Sequence, residues 1–341
     1  MRAAIFHENG GPEVVRVEQV PQPVPGPGEV LVEVKAAALN HLDLWVRRGM
    51  PIETTMPHVG GSDAAGVVVE VGDGVSEARA GERVVVNPSL WDGTCEWCRR
   101  GEEPLCVAYR IFGEHTDGGF CEYVAVPASH AYPIPDAVPF EEAAALPISY
   151  GTAWRALQRA RLRAGEDVLV IGASGGTAAA AVQLARMRGA RVFALTKGAE
   201  NVERLKALGA DFVYDRAVEE DFSKAVFRDT GKRGVDVVVE NVGAATWKGS
   251  VRALARGGRL VTYGATAGPT VEVDVRVLFW KQLELIGTTM SSRAEFEAML
   301  QAVWGGGLRP VIDSVMPLDD ACEAHARLEA GGQFGKIVLV P

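Results

Sequence analysis

Between about residue 150 and residue 288, short apolar segments alternate with helical segments, and this alternation constrains the fold more than any other feature. Apolar strands separated by helices are typical of a parallel sheet whose two faces are covered by helices. The predicted strands cover 167–171, 192–195, 212–214, 235–239, 259–263 and 283–286. We therefore predict an α/β fold built on a doubly wound parallel sheet.

The chain outside this region follows another pattern. Before residue 150, β-rich segments at 30–34, 66–72 and 83–86 are separated by Gly and Pro, as in a compact barrel-like β unit. After residue 289, the predicted elements are a helix at 294–304, a strand at 311–313, a helix at 318–329 and a strand at 336–340. At roughly 100 to 200 residues per domain, a chain of 341 residues is expected to form two domains.

The overall composition excludes several classes of protein. Lys and Arg number 35 against 44 Asp and Glu, and the net charge of −9 has the wrong sign for a nucleic-acid-binding protein. No apolar run reaches the ~18 to 20 residues of a membrane span, and the first residues do not resemble a signal peptide. We expect a cytoplasmic protein with no nucleic-acid or membrane partner. Five cysteines do not suffice for a disulfide framework.

A glycine-rich turn follows the first strand of the alternating region. Its residues are Gly172, Ala173, Ser174, Gly175, Gly176 and Thr177, and a helix begins directly after it. Backbone N–H groups at such a helix start are suited to bind a pyrophosphate. Ala173 and Ala178 replace two of the three usual glycines, so the turn alone is a loose match. Its position between a strand and a helix favours a Rossmann dinucleotide site.

The end of the second strand bears on the choice of dinucleotide. A carboxylate is expected there when the ribose has a free 2′-hydroxyl, but the chain has Thr196 and Lys197. A hydroxyl beside a cation suits a 2′-phosphate better, and Arg216 after the third strand could add a second positive contact. We predict NADP(H) in preference to NAD(H). The alternative is that both cations are solvated surface charges.

Further cofactor contacts are predicted after the fourth, fifth and sixth strands, because ligands of open parallel sheets bind beyond the carboxyl ends of the strands. Each of these segments could also be an ordinary turn. The residues are Asn241, Val242, Gly243, Gly264, Ala265, Thr288 and Thr289.

Three of the five cysteines are clustered. Cys95, Cys98 and Cys106 lie within twelve residues, and Asp92 precedes Cys95 by the same spacing that separates Cys95 from Cys98. Four such donors would close a tetrahedral zinc site and leave no position for substrate, so we predict one structural Zn²⁺. The alternative is a group of three reduced surface thiols.

Together these features resemble the medium-chain dehydrogenase/reductase superfamily, in its branch of zinc-type alcohol dehydrogenases and quinone oxidoreductases. The resemblance extends over essentially the whole chain. It is carried by the cofactor turn and by the segments 25–32, 66–72, 81–84, 118–123 and 335–339. It implies a GroES-like catalytic domain at 1–149 and 289–341, with a zinc lobe at about 88–110, interrupted by a Rossmann domain at 150–288.

The departures from this family concern the catalytic zinc. Alcohol dehydrogenases that resemble this chain hold that ion with a Cys, a His followed by Glu, and a second Cys. Those places here are Asn40, Ser62 followed by Asp63, and Ile148. An amide, a hydroxyl and an alkyl chain do not bind Zn²⁺, and Asp63 alone cannot hold it.

The resulting pattern is more similar to zinc-free quinone and enone reductases. In this interpretation Asn40 polarises the acceptor oxygen, with Ser62 as a secondary donor beside Asp63. The resemblance also implies that Thr152 contacts the nicotinamide and that Lys336 lies near the pyrophosphate. The alternative is that His41, His58 and His115 rebuild a second metal site with Asp63.

Three functions follow as hypotheses. The first is an NAD(P)H-dependent oxidoreductase that transfers hydride to a quinone, an enone or another activated carbonyl, with a structural zinc and no catalytic zinc. The second is an alcohol dehydrogenase with a rebuilt metal site, and the third is a non-catalytic NADPH-binding protein. By analogy with the family, a homodimer or homotetramer is expected to form through the strand at 283–286.

Overall fold

The structure is a computed structural model that describes residues 1–49, 54–76 and 78–341. The chain forms two compact units. The terminal unit contains Met1–Ile148 and Ser292–Pro341, and the central unit contains Ser149–Ser291. The divisions expected from the sequence, at 149/150 and 288/289, lie within three residues of these bounds.

The first part of the terminal unit is mainly β-structure. Its strands are β1 (Arg2–Phe6), β2 (Arg16–Gln19), β3 (Glu29–Ala38), β4 (His58–Val59), β5 (Asp63–Val71), β6 (Arg83–Val86), β7 (Ser89–Leu90), β8 (Arg110–Ile111), β9 (Tyr123–Pro127) and β10 (Ala131–Pro133). Its helices are α1 (His41–Arg48), α2 (Glu96–Arg99) and α3 (Phe140–Ala144). The chain passes into the central unit within α4 (Pro147–Arg159).

The central unit alternates strands and helices. Its strands are β11 (Asp167–Ile171), β12 (Arg191–Thr196), β13 (Phe212–Asp215), β14 (Val235–Glu240), β15 (Leu254–Thr262) and β16 (Glu284–Gly287). Its other helices are α5 (Gly176–Met187), α6 (Glu200–Ala207), α7 (Phe222–Asp229), α8 (Trp247–Ala253) and α9 (Val275–Lys281). The returning segment of the terminal unit contains α10 (Arg293–Trp304), β17 (Ile312–Pro317), α11 (Ala321–Ala330) and β18 (Lys336–Val340).

The six strands of the central unit form one parallel sheet in the order β13-β12-β11-β14-β15-β16. This is the Rossmann strand order, in which the chain reverses direction across the sheet between β11 and β14. Every residue of β11 is buried, and the four residues after Asp167 are apolar, as expected for a central strand. The prediction of a doubly wound parallel sheet is confirmed.

The main sheet of the terminal unit is built around its longest strand, β3. The order is β10-β6-β5-β3-β18-β17, and β9 also pairs with β3. The C-terminal strand β18 is therefore central, antiparallel to β3 and parallel to β17. This pairing places Lys336, the first residue of β18, in the same sheet as the ends of β3 and β5.

Candidate functional site

The glycine-rich turn connects β11 to α5 in the central unit. Gly172 has φ +64°, a conformation that residues with a side chain rarely adopt, and Gly175 is the N-cap of α5. The Ala173 N–H donates to the Leu195 carbonyl of β12 at 2.9 Å, which fixes the turn against the neighbouring strand. The start of α5 thus presents backbone N–H groups at the carboxyl edge of the sheet.

Asn241 follows β14 at the point where the strand order reverses. Its Nδ2 donates to the Ile171 carbonyl and to the Tyr263 hydroxyl, each at 2.9 Å. The amide N–H groups of Asn241 therefore tie three strand ends together, and only its Oδ1 is left to accept from a ligand. A cofactor contact by Asn241 stays a prediction.

Glu240, the last residue of β14, is a functional feature that the sequence reasoning missed. It is fully buried and accepts hydrogen bonds from the Val242 and Gly243 N–H groups and from the Thr246 and Ser250 hydroxyls. These bonds fix the turn after β14. A signal was available, since Glu240 is a carboxylate that directly follows three valines.

Gly243 and Gly264 lie where the backbone segments are close together. A Cβ on Gly243 would lie 2.3 Å from the Gly268 carbonyl oxygen, and one on Gly264 would lie 3.3 Å from that of Asn241. Ala265 follows Gly264 and is partly buried. Only a residue without a side chain fits at 243. The segments predicted to contact the cofactor therefore pack closely against each other through their backbones.

The turn after β12 contains Thr196 and Lys197. Thr196 is buried, and within the described residues its Oγ1 has no hydrogen-bond partner. The Arg216 N–H donates to the Thr196 carbonyl, and the side chains of Lys197 and Arg216 are exposed. The Asp215 carboxylate accepts from the Gly198 and Ala217 N–H groups. The sequence reasoning looked for an acid only on the second strand and missed this one on the third.

Three other predicted hydroxyls lie in the same unit. Thr288 Oγ1 is buried and also has no partner within the described residues, whereas Thr289 is exposed. Thr152, on α4, is buried with its Oγ1 3.9 Å from the Met290 sulfur. A buried hydroxyl without a partner costs free energy unless a ligand satisfies it. Thr196, Thr288 and the open helix start therefore fit a nicotinamide dinucleotide.

The structure brings Asp92, Cys95, Cys98 and Cys106 together, and we call these residues the Asp92 quartet. One potential ligand atom from each lies within 4.8 Å of the others, and the sulfurs of Cys95 and Cys98 are 3.6 Å apart. Zn–S bonds of about 2.3 Å in a tetrahedral site require sulfur separations near this value. The quartet fits a structural zinc ion.

The carboxylate of the quartet is prepared by backbone hydrogen bonds. Asp92 Oδ1 accepts from the N–H groups of Cys95 and Thr94 at 2.8 and 2.7 Å. These two bonds lower the pKa of Asp92 to about 2, and the bond from the Cys95 N–H has the larger effect. The side chain is therefore ionised at any physiological pH, as a zinc ligand must be.

A second polar cluster lies in the terminal unit, and we call its members Asn40, Asp63 and Lys336 the Lys336 cluster. Lys336 Nζ donates to Asn40 Oδ1 and, at 2.9 Å, to Asp63 Oδ2. Asp63 Oδ2 also accepts from Asn40 Nδ2 at 3.0 Å, and its Oδ1 accepts from the Ile148 N–H at 2.9 Å. All three side chains of the cluster are buried. Asn40 and Ile148, two of the positions where the family resemblance implies metal ligands in zinc-dependent enzymes, thus contact an ion pair.

This arrangement changes the role expected of Asn40. Its Nδ2 donates to the Ala38 carbonyl and to Asp63, and its Oδ1 accepts from Lys336. Both N–H groups are used within the protein, so Asn40 has no donor left for an acceptor oxygen. Ser62 is fully buried, and no partner for its Oγ is found within the described residues.

Asp43 supports the cluster from the first turn of α1. Its carboxylate accepts from the Asn40 N–H at 2.7 Å and from the Gly61 N–H at 3.1 Å. Burial raises the pKa of Asp43 to about 7, in spite of these bonds and of the nearby Lys336 charge. Asp43 fixes the backbone at Asn40 and at Gly61, the residue before Ser62, and it was not predicted from the sequence.

The histidines proposed for a second metal site have other contacts. His58 Nε2 lies 3.1 Å from the Gly113 carbonyl oxygen, and His115 Nδ1 accepts from the Ile111 N–H. Within residues 1–49, 54–76 and 78–341, the Asp92 quartet is the one group of His, Cys, Asp and Glu side chains whose potential ligand atoms lie close enough together to share a metal ion. His41, His58, His115 and Asp63 do not converge in this way.

Comparison with known proteins agrees with this geometry. Residues 26–136 match the alcohol dehydrogenase GroES-like domain, and residues 176–305 match the zinc-binding dehydrogenase family. Similar proteins include an acryloyl-coenzyme A reductase of Metallosphaera sedula, 33% identical over 99% of both chains. A quinone oxidoreductase of Rattus norvegicus is 32% identical over 100% of this chain and 98% of its own.

A crystal structure of an NAD-dependent alcohol dehydrogenase superposes with a TM-score of 0.96, at 43% identity and 100% coverage of both chains. The chain belongs to the medium-chain dehydrogenase/reductase superfamily, in its zinc-type alcohol dehydrogenase and quinone oxidoreductase branch. It is an NAD(P)-dependent oxidoreductase. The family and the Asp92 quartet together support a zinc ion and a nicotinamide cofactor. Among the described helices, none has the length and apolarity that crossing a bilayer requires.

Proposed function

We propose that the protein is an NADPH-dependent reductase that transfers hydride to a conjugated acceptor, namely an enone, an enoyl ester or a quinone. The Lys336 cluster carries this proposal. Where zinc-dependent relatives use thiolate and imidazole, this chain has an amide, a hydroxyl and an alkyl side chain, and the adjacent Asp63 carboxylate is already paired with a lysine. A conjugated acceptor needs less activation than a simple ketone, because hydride addition gives a delocalised enolate or phenolate in place of a localised alkoxide, and hydrogen bonds can stabilise its charge.

The bound dinucleotide supplies the hydride, and the chain binds and orients the reactants. The start of α5 and the turns after β12, β14 and β15 are proposed to hold the dinucleotide. Thr152 is proposed to contact the nicotinamide. Buried polar groups of the terminal unit are proposed to bind the acceptor oxygen. The Asp92 quartet would hold a zinc ion with four protein ligands, and such an ion would have no open position for substrate.

The preference for NADPH rests on Thr196, Lys197 and Arg216. A 2′-phosphate would accept from the Thr196 hydroxyl, which has no partner in the described part of the chain, and would lie beside two exposed cations. The Asp215 carboxylate is held by backbone N–H groups. Since one similar structure is of an NAD-dependent enzyme, both dinucleotides belong in the test.

The test combines turnover with metal analysis. Enzyme purified without chelator is assayed with NADPH and NADH on methyl vinyl ketone, acryloyl-CoA and phenanthrenequinone, and with NADP⁺ and NAD⁺ on short alcohols. We expect reduction of at least one conjugated acceptor, faster with NADPH, and about one zinc per chain. Two zinc ions per chain together with chelator-sensitive alcohol oxidation would establish the metal-dependent alternative. Tight NADPH binding without turnover of any probe would favour a non-catalytic binding protein.

We also propose that two copies associate through β16. This strand is at the edge of the parallel sheet, so one row of its backbone groups has no strand partner among the described residues. The adjoining helix α9 exposes Val275, Phe279 and Trp280 at 62%, 63% and 69%. A second copy related by a twofold axis would cover the same surface on both chains.

Light scattering on Trp280→Glu is expected to give monomers. Val24→Glu, at another exposed apolar residue, should leave the dimer intact. A monomeric wild-type protein contradicts this proposal.

A further inference from the structure

The ammonium group of Lys336 is the main positive charge of the terminal-unit cluster. Lys336 is 4% exposed and its partner Asp63 is 0% exposed. An ammonium has three N–H groups, and two of them donate to Asn40 Oδ1 and Asp63 Oδ2. Within the described residues no third acceptor is found for Nζ. One N–H of a buried cation is therefore left for a ligand.

The neighbouring donors are already used. Asn40 donates to Ala38 and Asp63, and the Ile148 N–H donates to the other oxygen of Asp63. These bonds hold the Asp63 carboxylate in a fixed orientation, and Asp63 in turn holds the ammonium. In a buried site a fixed cation stabilises developing negative charge more strongly than it would in water.

We propose that Lys336 is a catalytic residue whose ammonium stabilises the negative charge on the acceptor oxygen and then supplies a proton, in the region where zinc-dependent relatives hold their catalytic metal. This inference rests on the proposed reduction of a conjugated acceptor. It replaces the role that the sequence alone suggested for Asn40, and Asn40 and Asp63 become positioning residues for Lys336.

The step balances with an enone as the acceptor. The β-carbon gains hydride and forms a C–H bond, while two electrons from the reduced nicotinamide leave an enolate whose oxygen faces the ammonium. An N–H bond of Lys336 then breaks, its proton forms an O–H or α-carbon C–H bond, and the neutral amine regains a proton from water. The substrate is reduced by two electrons and the nicotinamide is oxidised by two.

Two other roles are possible for a buried lysine, and they make different predictions. A purely structural lysine would affect stability and leave the rate unchanged. A lysine that binds the cofactor pyrophosphate, as the family resemblance implies, would raise the Kd for NADPH when removed. An oxyanion-stabilising lysine lowers kcat, with little effect on the Kd for NADPH.

The experiment uses the double variant Lys336→Met/Asp63→Asn, which removes both charges of the ion pair, so that the Asp63 carboxylate is not left buried without its cation. Turnover of methyl vinyl ketone, NADPH binding by fluorescence and thermal unfolding are measured for each protein. We expect kcat to fall ~10²- to 10³-fold, the loss typical for one oxyanion donor. The Kd for NADPH should stay within about threefold of wild type, a range small on the scale of tenfold per 1.4 kcal/mol. Lys336→Arg should recover part of kcat, since it keeps the charge.

The matched control is Lys281→Met. Lys281 is also partly buried, but its Nζ donates to the Arg252 and Leu254 carbonyls in the central unit, so wild-type kcat is expected. A double variant with wild-type kcat, or one whose defect is confined to the Kd for NADPH, overturns the inference and leaves the proposed function intact. A wild-type enzyme that reduces no conjugated probe overturns both.

Discussion

The terminal unit contains two polar clusters that differ in how the chain builds them. The Asp92 quartet comes from one short segment, and its ligands are presented by the single turn of α2 and the loop around it. The Lys336 cluster joins residues that are 273 and 296 positions apart, through the pairing of β18 with β3 and of β3 with β5. The first cluster lacks a cation and fits a zinc ion, whereas the second has a cation of its own.

This difference in charge accounts for the different metal requirements that we propose for the two clusters. Thiolates and a carboxylate placed together repel one another unless a metal neutralises them. At the Lys336 cluster the single carboxylate is neutralised by an ammonium, so the cluster is electrostatically complete without a metal. The two clusters should therefore respond differently to chelation and to substitution.

The largest effect is expected from Cys98→Ser. Loss of one thiolate should abolish zinc binding, and structural zinc contributes on the order of 10 kcal/mol in zinc-finger peptides. We expect metal analysis to show a fall from about one zinc per chain to a small fraction, with a large drop in the thermal midpoint. Cys322→Ser is the control, because Cys322 is exposed and lies outside the quartet. A Cys98→Ser protein with full zinc content would show that the quartet is not the binding site.

The next largest effect concerns the ion pair. Lys336→Met leaves the Asp63 carboxylate buried without its cation, and breaking a buried pair in this way costs about 3–5 kcal/mol. Adding Asp63→Asn should restore part of that stability, since the amide is neutral but has one acceptor oxygen where Asn40 Nδ2 and the Ile148 N–H donate to two. Urea unfolding of the single and double variants measures the stability that Lys336→Met loses and the stability that Asp63→Asn restores. If the second substitution recovers nothing, the pair does not act as an electrostatic unit.

These two clusters also show how far sequence reasoning reached. The quartet was predicted because ligand spacing is a local property, and the Rossmann sheet was predicted because apolar strands alternating with helices leave few other packings. Asn40, Ser62 and Asp63 were identified as candidate residues by resemblance to known enzymes.

The interactions among those residues could not be predicted. Lys336 begins a strand whose partners are set by the topology of the sheet, and no local pattern shows that its side chain meets Asp63. The contact between Lys336 and Asp63 also sets the orientation of the Asn40 amide. That orientation decides whether Asn40 can donate to a ligand. The buried carboxylates Glu240 and Asp43 were missed for a similar reason, because their partners are defined only after the turns fold.

A third prediction tests the support of the Lys336 cluster by Asp43. The pKa of Asp43 is raised from 3.8 to about 7 in the folded protein, so between these values the native state binds more protons than the unfolded state. Stability contributed by protonated Asp43 is therefore present at low pH and lost as pH rises towards 7. In Asp43→Asn, we expect the fall in unfolding free energy between pH 4 and 7 to become shallower, by up to about 1.4 kcal/mol per pH unit.

Urea titrations at several pH values measure that slope, and Asp136→Asn, at an exposed carboxyl, provides the control. The slope is the informative quantity, since the amide offers one acceptor oxygen where two N–H groups are bound and will lower stability at every pH. An unchanged slope would mean that Asp43 titrates in the folded protein as it does in the unfolded chain.

The smallest effect is expected in the central unit, where a local cluster of a different kind is proposed to choose the cofactor. Lys197→Ala should weaken NADPH binding by about tenfold, the equivalent of one charge-assisted hydrogen bond of ~1.5 kcal/mol, and should leave NADH binding unchanged. Fluorescence titration with both dinucleotides measures the two constants, and Lys206→Ala is the control because Lys206 is exposed on α6 and pairs with Glu203. Equal weakening for NADPH and NADH would assign Lys197 to a part of the cofactor that both share.

Since Thr196, Lys197 and Arg216 lie at the ends of adjacent strands, this cluster resembles the Asp92 quartet, because both can be predicted from short segments of the sequence. The Lys336 cluster has no such local signal, and only a contact made across the whole sheet defines it.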